Sequence, residues 1–141
     1  MDYLCDLIDA EVKAGVPLNR IVIGGFSQGC FVSLAAGLGG RYKGKVAGVI
    51  GLSGGLNRGS MIKKSFEGFT HDQGRPMRVF IAHGSRDMLV PMRVYRDTLE
   101  RVEEVVGKEN VEGHVYDGMG HVTCGKEFLD MLTFLEGIIP G

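Results

Sequence analysis

The sequence predicts an α/β fold, a parallel sheet flanked by helices, and three observations carry that prediction. Short runs rich in β-branched residues alternate with segments of helical period, the pattern of strands joined by crossover helices. One run, Val46 to Leu52, is apolar on both faces, as in a strand covered from two sides. Glycine makes up 23 of 141 residues and clusters where those runs end, at places where a backbone must turn tightly or approach another group.

The first segment reads as a helix in which Leu4, Leu7, Ile8 and Val12 share a face, stopped by Gly15 and Pro17. Arg20 to Phe26 follows as a strand run, Ser27-Gln28-Gly29 as a sharp break, and Cys30 to Leu38 as an apolar helix ended by Gly39 and Gly40. After the strand of Val46 to Leu52, residues Ser53 to Pro76 form a loop punctuated by Met61, Ile62, Phe66 and Phe69. A strand at Arg78 to Ala82 leads through a polar turn to a helix opened by Pro91, with Val94, Thr98, Leu99, Val102 and Val106 on one side. Val111 to Tyr116 is the last strand, and Phe128, Leu132 and Leu135 mark the last helix. Right-handed crossovers between such strands cover a parallel sheet on both faces. No linker or repeat divides the chain, so residues 1–141 read as one domain.

Composition excludes several functions. A net charge of −1 supplies no basic field for nucleic acid. No apolar stretch approaches the roughly 20 residues of a membrane span. Cys5, Cys30 and Cys124 are too widely spaced for a zinc pattern or a disulfide framework, which fits a reducing compartment.

Two pentapeptides match Gly-x-Ser-x-Gly: Gly25-Phe-Ser-Gln-Gly29 and Gly51-Leu-Ser-Gly-Gly55. The pattern exposes a nucleophilic serine only at a strained strand-to-helix turn. Ser27 follows a strand run and precedes a helix, whereas Ser53 is followed by Gly54-Gly-Leu-Asn-Arg-Gly59, which cannot start one promptly. Ser27 is therefore the candidate nucleophile, and Ser53 reads as a turn residue near the site.

A serine hydroxyl needs a base to take its proton and a group to orient that base. Open parallel sheets hold their sites at the carboxyl ends of the strands. His121, in the turn Gly118-Met-Gly-His121, and Asp87, in His83-Gly-Ser-Arg-Asp87, follow the last two strands and are the candidates. Among their rivals, His83 reads as a brace for the Asp87 loop and His114 as a surface or sheet-face residue. His71 reads as a solvated loop residue, Asp117 as a turn residue and Cys30 as core packing.

Four motifs in order, Arg20-Ile-Val-Ile-Gly-Gly-Phe-Ser-Gln-Gly29, Leu52-Ser-Gly-Gly55, His83-Gly-Ser-Arg-Asp-Met-Leu-Val-Pro91 and Tyr116-Asp-Gly-Met-Gly-His121, resemble the phospholipase/carboxylesterase family of α/β hydrolases, which includes the acyl-protein thioesterases. The resemblance implies Ser27 as nucleophile, Asp87 as orienter, His121 as base and the Gln28 amide as an oxyanion donor. The implied substrate is an acyl ester or thioester, such as an S-acylated protein, the implied mechanism needs neither a metal nor an organic cofactor, and the implied location is cytoplasmic. Met61, Ile62, Phe66 and Phe69 are candidates for an acyl groove, with packing under the loop as the alternative.

The same resemblance implies that further strands, and a glycine-rich loop donating a second oxyanion N–H, come before the helix at which this sequence opens. The chain thus reads as the C-terminal portion of the fold, with an apolar edge strand open to pairing, for example with a second copy. Two function classes follow: a serine esterase or thioesterase, and a weakly active or inactive hydrolase-like fragment serving as a binding or assembly module.

Overall fold

The computed structural model describes residues 2–56, 60–72 and 74–139, without the side chains of Ser60 and Met61. Four parallel strands, β1 (Val22–Phe26), β2 (Gly48–Leu52), β3 (Arg78–Gly84) and β4 (Val111–Tyr116), lie side by side in chain order. Their register runs Phe26 beside Leu52, Leu52 beside Ala82, and Ala82 beside His114. The carboxyl ends of the strands therefore finish level with one another, and the loops that leave them meet at one end of the sheet.

Among the described residues, five α-helices join and cover the strands: α1 (Asp2–Lys13), α2 (Gln28–Gly39), α3 (Ser60–Ser65), α4 (Met92–Val106) and α5 (Gly125–Ile138). Side chains along a strand alternate between faces, so each strand feeds two cores. Val49, Val79 and Ile81 pack with Cys5 and Ile8 of α1, Leu34 and Leu38 of α2, and Tyr95 and Val102 of α4. Ile50, Leu52, Phe80 and Ala82 point the other way, onto Phe134 of α5. The central strand β2 is buried along its whole length, which accounts for its unbroken apolar run, whereas β1 is an edge strand with Gly24 and Phe26 exposed.

The packed helix faces and the long loop differ in detail from the sequence reading. On α1 the buried pair is Cys5 and Ile8, one turn apart against α2, while Leu7 and Val12 are exposed. On α5 the packed face is Met131, Phe134, Leu135 and Ile138, leaving Phe128 and Leu132 about half exposed. Apolar residues cover more than half of this helix's circumference, a wider arc than the face that meets the sheet, so periodicity alone does not choose the packed side. The loop from Ser53 to Pro76 contains the short helix α3, from which Ile62 and the following Phe66 turn inward onto the α1–α2–α4 core.

His71 is not a solvated loop residue. Its Nδ1 accepts the Met77 N–H at 3.0 Å, and its Nε2 lies 2.7 Å from the Val106 carbonyl at the end of α4. His114 is on the α5 face of β4, stacked on Phe80 and 2.8 Å from Glu112. Asp117 accepts the Ser85 hydroxyl and stays in its turn, as its position beside Gly118 predicts.

Candidate active site

Ser27 occupies the tight bend between β1 and α2. Its backbone is at φ 59°, ψ −112°, outside the conformations that side-chain-bearing residues normally adopt. The bend is held because the Ser27 N–H donates to the Leu52 carbonyl and the Ser27 carbonyl accepts the Cys30 N–H. It also depends on Gly25, where a Cβ would overlap the backbone of Gly29. Only a glycine at this strand end lets the returning helix come so close. Strain confined to one residue and fixed by its neighbours is typical of a functional position.

The bend aims the Ser27 hydroxyl at the loop after β4. His121 Nε2 lies 3.1 Å from Ser27 Oγ, and its Nδ1 lies 2.7 Å from Asp87 Oδ2. An imidazole between a carboxylate and a hydroxyl donates to the first through Nδ1–H and accepts from the second at Nε2. The Phe26 ring, 4.8 Å away, packs against the imidazole.

Asp87 uses its two oxygens separately. Oδ1 accepts the N–H groups of Leu89 and Val90 at 2.9 and 2.8 Å, which fixes the carboxylate to its own loop and leaves Oδ2 for His121. Burial works against the charge, but the Val90 N–H, His121 and the Leu89 N–H outweigh it and hold the carboxyl below its ordinary value. His83 is fully buried beneath this loop, with Nε2 2.7 Å from the Val90 carbonyl, the bracing position its place at the end of β3 suggests.

Gln28 heads α2, where the first amides have no partner inside the helix and the dipole favours negative charge. Ser27 and Gln28 open onto a cavity of about 510 Å³ whose other walls are Phe31, Val32, Gly54, Gly55, Val90 and Val94. Of the residues considered for an acyl groove, Ile62, Phe66 and Phe69 do not line it. Phe66 and Phe69 line a different cavity with Arg101 and Val105, Ile62 packs on the core, and the Met61 side chain lies outside the described residues. Sequence reasoning missed Phe31, Val32, Val90 and Val94. No local pattern marks them: two follow the nucleophile by about one helical turn, and two lie on either side of Pro91.

Ser53, the other pentapeptide serine, is fully buried at φ 52°. The next residue, Gly54, passes so close to the elbow that a Cβ would overlap the Ser27 carbonyl. Cys30 is core: burial pushes its thiol up to about 12, so it is no thiolate at neutral pH. Cys5, Cys30 and Cys124 are all free. Among the described residues, no cluster of His, Cys, Asp and Glu suits a metal ion, and no helix is long and apolar enough to cross a membrane.

A parallel sheet whose first strand ends in a strained serine elbow, with an aspartate and then a histidine from later strand ends, has the architecture of the α/β hydrolases. Comparison with known proteins agrees and goes further. The model of the phospholipase/carboxylesterase family matches residues 1–139, and the chain belongs to that family. It is 40% identical over 131 residues to acyl-protein thioesterase 1 of Yarrowia lipolytica, covering 92% of this chain and 55% of that protein. It is 36% identical to acyl-protein thioesterase 1 of Neurospora crassa, covering 98% of this chain and 54% of that protein. The crystal structure of Arabidopsis thaliana SOBER1 superposes with a TM-score of 0.82 at 24% identity, covering 99% of this chain and 62% of that one. The chain thus spans little more than half the length of these relatives.

Proposed function

We propose that this chain is a serine hydrolase of carboxylic esters or thioesters acting through an acyl-enzyme. The observation that carries the reading is the unbroken hydrogen-bonded line from Ser27 Oγ through His121 to Asp87. His121 takes the Ser27 proton as the oxygen attacks the acyl carbonyl. Asp87 holds the imidazole in the tautomer that leaves Nε2 free, and stabilises the imidazolium that forms. The Gln28 N–H, at the positive end of α2, donates to the developing oxyanion. His121 returns the proton to the leaving alcohol or thiol, then activates a water that releases the acid.

The cavity beside Ser27, walled by Phe31, Val32, Val90 and Val94, suits the apolar tail of an acyl group better than a charged substrate. Acyl-protein thioesterases among the relatives make an S-acylated protein a reasonable substrate class. The test is turnover of p-nitrophenyl butyrate and of an acyl thioester by this chain and by Ser27→Ala. Hydrolysis that disappears in the variant supports the reading, and hydrolysis that persists rejects it.

A second reading, an assembly module whose open edge pairs with a second copy, is favoured by one observation. The edge strand β1 and the outer side of α5 expose Phe26, Phe128, Leu129 and Leu132. Light scattering on the purified chain decides it, because a monomer at all concentrations excludes the pairing.

A further inference from the structure

An acyl carbon attacked by Ser27 Oγ has three other substituents to place: the oxyanion, the leaving atom and the acyl chain. The amides at the head of α2, free of partners within the helix, take the oxyanion. The leaving atom must come within hydrogen-bond reach of His121 Nε2, the nitrogen that returns the proton and lies 3.1 Å from Ser27 Oγ. The acyl chain is left with the remaining direction, away from both.

The cavity of about 510 Å³ fits that direction, because Ser27 and Gln28 line it and His121 does not. A leaving group seated there would carry its oxygen or sulfur away from the proton donor. The His121 side is open surface instead. Phe26, whose ring packs on the imidazole, is 39% exposed, and Val122, the residue after His121, is 55% exposed. The two halves of an ester therefore meet different surroundings, an apolar recess and an open rim.

Two walls define the recess. One is backbone that cannot yield: a Cβ on Gly54 would overlap the Ser27 carbonyl, and one on Gly55 would overlap Val94 and Thr98 of α4. The Leu56 N–H donates to Thr98 Oγ1 at 3.0 Å, which pins this segment to α4. The other wall is the start of α2 with its side chains Phe31 and Val32. Phe31 is the largest side chain in the lining, follows Ser27 by one turn and is partly buried against the core.

We infer that this recess takes the acyl half of the substrate alone, and that Phe31 is the residue that sets acyl length. The alcohol or thiol stays on the open side. The site thus grades substrates by their acyl chain and accepts leaving groups of any bulk, a protein thiol included. This inference rests on the proposed roles of Ser27, Gln28 and His121.

The test puts the same chain on either side of the ester. kcat/KM is measured for methyl esters from butyrate to decanoate and for acetates from butyl to decyl. The full chain is compared with Phe31→Ala, Phe31→Leu and Val32→Phe, with folding checked by circular dichroism. In Phe31→Ala the ratio of kcat/KM for methyl decanoate over methyl butyrate should rise about 10-fold, the low end of what one methylene is worth in an apolar pocket. Phe31→Leu should raise it less, and Val32→Phe, which fills the recess, should lower it. The ratio for decyl acetate over butyl acetate should not respond to any of the three. A further readout needs no turnover: octanoate added to Ser27→Ala should shift the methyl resonances of Val32, Val90 and Val94.

Chain ratios that move on the alcohol side overturn the assignment, and so do octanoate shifts confined to other methyl groups. Hydrolysis that persists in Ser27→Ala would instead overturn the hydrolase reading beneath it. Hydrolysis that is lost in Ser27→Ala, with unaltered acyl ratios in folded Phe31→Leu and Val32→Phe, would overturn the acyl recess alone.

Discussion

The elbows at Ser27 and Ser53 stand at the ends of adjacent strands, both in Gly-x-Ser-x-Gly and both at positive φ, 59° and 52°. Their surroundings differ in everything else. After Ser27 the chain enters α2 at once, so the serine stands at the tip of a bend with His121 3.1 Å away. After Ser53 two glycines carry the chain along the flank of the first elbow, and the serine is fully covered. Strain is therefore common to both sites, and exposure to a base separates them. A motif hit specifies the bend, while the helix that follows decides whether the bend presents a nucleophile.

The largest effect that could break this contrast is on chemistry. Ser27→Ala is expected to reduce ester turnover on the order of 10⁶-fold, the loss seen when one member of a nucleophile–base unit is removed. Fluorophosphonate labelling should vanish with it. Labelling that survives in Ser27→Ala and disappears in Ser53→Ala would reverse the two assignments.

Asp87→Asn should cost about 10⁴-fold in kcat, because an amide cannot hold His121 in the tautomer with a free Nε2. The same carboxylate links the site to acid stability. Its folded pKa lies below the ordinary aspartate value of 3.8, so its contribution is complete above that pH and is lost as the pH falls through the lower folded value. Acid unfolding followed by circular dichroism should therefore be less steep in Asp87→Asn than in the wild type below pH 3.8. Superimposable acid limbs would mean that Asp87 carries no such linkage.

Gly25→Ala probes the first elbow's packing without touching its hydroxyl. A Cβ there meets the backbone of Gly29, which cannot swing aside as a side chain would. The expected loss is about 3 kcal/mol, at the upper end for forced overpacking, measured by urea unfolding. Gly29→Ala is the control, since nothing stands within 4 Å of a Cβ at that position. Equal changes at the two positions would show that the strand–helix approach does not set the requirement for glycine at Gly25.

Much of this was legible in the sequence, for particular reasons. Ser27, Asp87 and His121 could be picked out because each follows a strand run, and strand ends are where a parallel sheet gathers its loops. The family was legible because four motifs keep their order. The packed side of α5 was not, because Phe128, Leu129, Met131, Leu132, Phe134 and Leu135 spread over an arc wider than the face that meets the sheet. The lining of the Ser27 cavity was not legible either. It gathers single residues from α2, the segment after β2 and both sides of Pro91, none of which forms a local pattern. The apolar residues that do form one, Ile62, Phe66 and Phe69, cluster because a short helix there needs an inner face of its own. His71 reads as solvated until the end of α4 is brought against it, which is a tertiary fact.

The smallest effect is the most discriminating, and it compares glycine at both elbows. A non-glycine residue held in a sparsely populated backbone region costs on the order of 1–3 kcal/mol, and glycine removes that cost while adding about 0.5–1 kcal/mol of unfolded-chain entropy. At Ser27 little else is lost, because the hydroxyl is partly exposed and its bond to His121 competes with water. Ser27→Gly should therefore be more stable than the wild type by about 1 kcal/mol, although inactive. At Ser53 the same relief is opposed by the lost packing of a fully buried side chain, worth about 1 kcal/mol, so Ser53→Gly should be close to neutral. Urea midpoints of the two variants measure the difference directly. If Ser53→Gly gains as much as Ser27→Gly, the Ser53 hydroxyl holds nothing and the second elbow is strain without a task. If it gains less, the shortfall is the stability that the buried side chain contributes.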